Sequence, residues 1–122
     1  MADKFFRFGP VALSATLTTN ILKGPVQAAA GTGVVAQDIY MVLRHIRIVN
    51  KTAGPVTFSL WIDATGGNSA GKEVIGTGLS IAANSAYDWY GMLRMDAADF
   101  LVGGASAATS LTIEGEGTLA II

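Results

Sequence analysis

Residues 43–63 read LRHIRIVNKTAGPVTFSLWID. Ile46 and Ile48 alternate with His45 and Arg47, NKTAGP is built of turn residues, and Val56, Phe58, Leu60 and Ile62 alternate again. A period of two sends successive side chains to opposite faces, so the stretch reads as a strand, a turn and a second strand. Pro55 opens the second strand, where a missing N–H does least harm. The aliphatic members of each run face a core. The opposite face carries His45, Arg47 and Trp61, and a monomer has little reason to leave a tryptophan in water. A contact surface covered by another chain is the expectation.

Working outward, strands are expected from about Tyr40 to Val49 and from Val56 to Ile62. Shorter ones are expected at residues 73–75, 79–83, 100–105 and 110–114, with an apolar close at 118–122. Residues 87–95 place Tyr87, Trp89, Leu93 and Met95 on one face and Asp88, Tyr90, Met92 and Arg94 on the other. Aromatics on both faces imply burial on both sides. With 122 residues the chain supports one domain with a real core. Seven or eight short strands punctuated by turns give an all-β fold, a single antiparallel β-sandwich of jelly-roll type spanning residues 36–122.

Residues 1–35 read differently. FFRFGP, KGP and AAAGTG are extended and rich in small residues, which predicts an extended N-terminal arm with one short strand at 12–17. Phe5, Phe6 and Phe8, with Arg7 among them, are too apolar for a free tail. They either fold back on their own domain or dock on a neighbour.

Apolar residues make up 51% of the chain and charged ones 14%, against about 25% charged in an ordinary soluble domain. Small uncharged side chains let surfaces approach without freezing long charged ones, which favours burial against partners. Net charge is −1, with acids and bases scattered singly, so no footprint for nucleic acid is present. No apolar run is long enough to span a bilayer, and no membrane partner is expected. Lys4 and Arg7 before VALSA faintly suggest a secretory signal, but Asp3 and Gly9-Pro10 break that pattern. There is no cysteine, hence no disulfide or thiolate chemistry.

Local motifs argue against chemistry. Residues 66–73, GGNSAGKE, have the spacing of a phosphate loop, but Glu73 stands where a magnesium-binding hydroxyl belongs and no helix follows. His45 is the only histidine and lacks metal-ligand partners at a recognisable spacing. No serine sits in a nucleophile elbow. Glu114 and Glu116 could share a strand face, but they flank Gly115, and solvated turns are the default for them and for Asp96 and Asp99. The expectation is no enzyme, with no catalytic residue, no cofactor and no metal. Trp61, Trp89 and Tyr90 could stack on sugars, though a core or interface role is commoner.

Ile46, Ile48 and Asn50 end a strand, Thr52 stands in the turn, and Asp99, Phe100, Leu101 and the stretch Gly104 to Ser106 follow later. From about residue 40 to 122 the chain resembles the small β-sandwich virion proteins of tailed bacteriophages. The resemblance implies a capsid decoration or cement protein. Such a protein would be a homo-oligomer, with a trimer favoured, on the outer capsid surface of the virion, its partner being the major capsid protein. Phe5, Phe6, Arg7, Phe8, His45, Arg47, Trp61, Trp89 and Tyr90 are the candidate interface. Alternatives are a neck, tail or head-fibre-base protein, or a carbohydrate-binding module displaying Trp89, Tyr90 and the loops near Asn68 and Asn84.

Overall fold

The computed structural model describes residues 4–17, 19–23, 39–63, 73–96 and 99–121. Eight strands follow in order: β1 (Lys4–Ala12), β2 (Thr19–Lys23), β3 (Ile39–Asn50), β4 (Val56–Asp63), β5 (Glu73–Ile81), β6 (Ala86–Asp96), β7 (Phe100–Ala105) and β8 (Leu111–Ile121). They form two four-stranded antiparallel sheets, β1-β8-β3-β6 and β2-β7-β4-β5. Neighbours along the chain repeatedly cross from one sheet to the other, as in a jelly roll. The all-β sandwich read from the alternation is the fold.

The core lies between the sheets. Leu43, Ile46, Ile48 and Met95 descend from one, Phe58, Leu60, Ile81 and Leu101 from the other. Each such side chain contributes about 1.5–3 kcal/mol by leaving water. Phe58 meets Tyr87 across the gap, ring centroids 5.4 Å apart.

Between β3 and β4, Asn50 is wholly buried. Its Nδ2 donates to the carbonyls of Gly54, Ile81 and Ala82 at 2.9, 3.0 and 3.2 Å, and its Oδ1 accepts from the Thr52 N–H and hydroxyl at 2.9 and 2.7 Å. One side chain thus ties the β3–β4 turn to the end of β5. It also satisfies carbonyls that burial would otherwise orphan.

Several expected boundaries change. Residues 13–17 hold no strand; the strands of the expected arm are β1, on the edge beside β8, and β2, on the edge beside β7. Phe8 is buried and Phe6 packs on the core, so the folded-back alternative describes them. The two runs expected around 73–83 are one strand, β5, and those at 110–122 are one strand, β8. Gly115 and Gly117 lie within β8, where close neighbours leave no room for a side chain: the Phe8 ring covers Gly115, and the Val42 carbonyl faces Gly117. Residues 24–38 and the glycine-rich stretch 66–72 lie outside the described residues.

Candidate functional site

The two outer faces differ. On the β2-β7-β4-β5 sheet, Trp61 occupies the outward alternation position but is only 2% exposed, and its cross-strand partner Val102 is fully buried. Trp61 is therefore covered within its own chain, and the expectation that another chain covers it is corrected. The alternation placed the side chain correctly; the covering could not be read from β4.

On the β1-β8-β3-β6 sheet the outer face is open. Phe5 is 90% exposed, Tyr90 73% and Met92 71%. Arg7, Arg44, His45, Glu114 and Glu116 join Phe5 and Tyr90 around a shallow depression of about 660 Å³. Of the nine residues expected at an interface, Phe5, Arg7, His45, Arg47 and Tyr90 thus share one surface. Phe8 and Trp89 point to the core instead, and Phe6 packs on the core while also bordering the depression. Burial on both faces of β6, expected from its aromatics, holds only for the inner one.

A bulge assembles this surface. Between Leu43 and His45, β3 advances two residues while β8 advances one, from Gly117 to Glu116. The extra residue lets Arg44 and His45 escape the core side in succession, with Leu43 and Ile46 buried on either side. The turn expected at Gly115 is instead strand, so Glu114 and Glu116 alternate outward beside β3. His45 meets carboxylates that are distant in sequence, which is why no ligand spacing betrayed them.

The His45 Nε2–H donates to Asp88 Oδ1 at 2.8 Å, and its Nδ1 lies 3.7 Å from Glu116 Oε1. Arg47 Nη1 donates to both Asp88 oxygens, at 3.1 and 2.9 Å. Tyr90 stacks on the imidazole, ring centroids 4.6 Å apart and planes inclined by 16°. Arg44 Nε donates to Thr118 Oγ1 at 3.1 Å. The hydrogen bond from His45, aided by the Arg47 charge and opposed in part by desolvation, holds the Asp88 carboxyl below its ordinary value of 3.8.

A carboxylate with a depressed folded-state pKa stabilises the fold above its unfolded-state pKa. That contribution fades as pH falls through the folded-state value. Urea unfolding of the native chain and of Asp88→Asn should therefore differ at neutral pH and converge on acidification below 3.8. A difference independent of pH would refute the linkage.

The sequence matches no protein-family model and no curated protein sequence. Solved structures are similar to it to different degrees. A structure of Desmodium yellow mottle tymovirus matches with TM-score 0.51 and 10% identity, over 98% of this chain and 85% of that one. Eiger TNF from S. frugiperda matches with TM-score 0.47 and 12% identity, over 98% and 92%. Tobacco streak virus coat protein matches with TM-score 0.43 and 11% identity, over 98% and 85%. At 10% identity the tymovirus likeness is one of fold.

Proposed function

We propose that the chain is a virion structural protein without chemistry of its own, and more narrowly a phage capsid decoration or cement protein that works as a homo-oligomer. The observation that carries the reading is the open face of the β1-β8-β3-β6 sheet. There Phe5, Tyr90 and Met92 stand exposed among Arg7, Arg47, Glu114 and Glu116. Aromatic residues, methionine and arginine are enriched where proteins meet, and this face joins them on a rigid sheet. The jelly-roll likeness to a tymovirus structure supports a virion role at the level of fold alone.

The surface gives the proposal its mechanism. Each copy offers a modest apolar patch with charges around it, and several copies held in one oligomer add their contacts through effective concentration. Residues 4–8 do not serve it as a free attachment arm. Phe8 is buried and residues 4–8 pair with β8, so deleting that segment would remove sheet edge and core together.

Quantitative mass spectrometry of purified particles tests the reading. A copy number near that of the major shell protein, or a simple fraction of it, is expected for lattice-wide decoration. A handful of copies would place the protein at the neck, tail or fibre base, and absence from particles would overturn the virion role. In solution, Phe5→Glu with Tyr90→Glu should weaken self-association at least about tenfold, read by light scattering. At dilutions where both forms are dissociated the unfolding midpoint should scarcely move, because both side chains are exposed. Undiminished association would move the interface elsewhere.

The carbohydrate alternative is weakened by its own residues. Trp89, its main stacking platform, is packed against the core, and one face of Tyr90 is taken by His45.

A further inference from the structure

His45, Glu114 and Glu116 bring one nitrogen and two carboxylate oxygens to within 4.8 Å of one another. Two ligand atoms bound tetrahedrally at about 2.0–2.2 Å from a common ion lie roughly 3.4 Å apart. The 3.7 Å between His45 Nδ1 and Glu116 Oε1 is already close to such an edge. Glu114 projects from the same face of β8, and among the described residues it has no hydrogen bond or ion pair to give up. Its distances to those two atoms, at most 4.8 Å, are the edges that a rotation of the side chain would have to shorten.

The second nitrogen of the ring decides what the first can do. In the neutral form of the ring, Nε2–H donating to Asp88 leaves Nδ1 without a proton, 3.7 Å from Glu116 Oε1. Such a nitrogen and a carboxylate repel each other unless a proton or a cation lies between them. Asp88 is itself fixed by Arg47, and Tyr90 stacks on the ring, so the imidazole is held in orientation from two sides. A carboxylate behind a histidine, setting its tautomer and raising its basicity, is the usual outer shell of a metal-bound imidazole.

We propose that His45 Nδ1, Glu114 and Glu116 bind a divalent first-row transition ion of the zinc type, with Asp88 as the positioning residue. The mixed nitrogen and oxygen set suits such an ion, whereas magnesium and calcium favour oxygen alone. Three protein ligands leave a fourth position to water. The charges around the site set its strength. Glu114 and Glu116 attract the ion, Arg7 and Arg44 beside the depression oppose it, and Arg47 is neutralised by Asp88. The site is independent of any virion role.

Calorimetric titration of the untagged full chain with zinc chloride at neutral pH tests it. One ion per chain is expected, with binding weakening on acidification as protons compete for Nδ1. His45→Ala, and Glu114→Gln with Glu116→Gln, should abolish it. Asp88→Asn should weaken it about 10–100-fold, and excess magnesium should leave it unchanged. The ring nitrogens of His45, followed by NMR, should show zinc moving Nδ1 while Nε2 keeps its proton. Should single Glu114→Gln be the only well-folded variant, its weakened binding suffices. No saturable binding, affinity unchanged in the variants, or an imidazole protonated on both nitrogens and indifferent to zinc would each overturn the site.

Discussion

Asn50→Ala should lower the unfolding free energy by about 3 kcal/mol, read from urea denaturation. The side chain is wholly buried and donates to the Gly54, Ile81 and Ala82 carbonyls while accepting from Thr52. Truncation removes these bonds and strands the Ile81 carbonyl in a buried place. A lost net hydrogen bond costs about 1 kcal/mol, whereas a buried group left unpaired costs about 1–3, so the stranded carbonyl dominates. Asn50→Asp should be worse still, because a carboxylate would face three carbonyl oxygens without a proton to share. A loss below about 1 kcal/mol for alanine would mean that water replaces the amide and that the turn does not depend on it.

Gly115→Val should destabilise by a similar amount, about 3 kcal/mol, through a different route. A Cβ at Gly115 would lie 2.6 Å from Phe8 Cζ, so the Phe8 ring must leave its place. Phe8 anchors β1 to the sheet, and amide exchange should accordingly rise across residues 4–12 while β3 and β6 stay protected. Adding Phe8→Ala vacates the space the valine needs, so the double variant should lose less than the sum of the two singles. Strict additivity would show that the two residues are not packed together.

The contrast between these two glycine and asparagine sites illustrates what was legible. Asn50 stood out in the sequence as the end of an alternating strand, and β3, β4 and β6 followed from Ile46, Ile48, Phe58, Leu60, Tyr87 and Met95, whose period of two survives any tertiary context. Gly115 and Gly117 misled, because in a single sequence a glycine pressed against a ring or a carbonyl cannot be told from a turn glycine. β8 was therefore split, and with it went the pairing that places Glu114 and Glu116 beside His45. Trp61 misled for the complementary reason. Its outward parity was right, but exposure depends on what lies over a face, and strand periodicity is silent about that. Arg47, His45 and Tyr90 meet because β3 and β6 are neighbours, and Phe5 joins them through β1 pairing on the far side of β8; neither adjacency can be read from one sequence.

The edge strands carry a consequence for how the chain reaches this state. Lys4 pairs with Leu119 and Thr19 with Gly103, so β1 and β2 find their partners only after nearly the whole sequence between them has left the ribosome. Loop closure over such separations is slow, and folding on the order of milliseconds to seconds is the expectation for so non-local a topology. Meanwhile β3 can pair with β6 but has an open edge where β8 will lie. An open edge is a template for other nascent chains. Crowded synthesis therefore selects between completing the sheet and joining a neighbour's, and β8 is the strand that closes the choice.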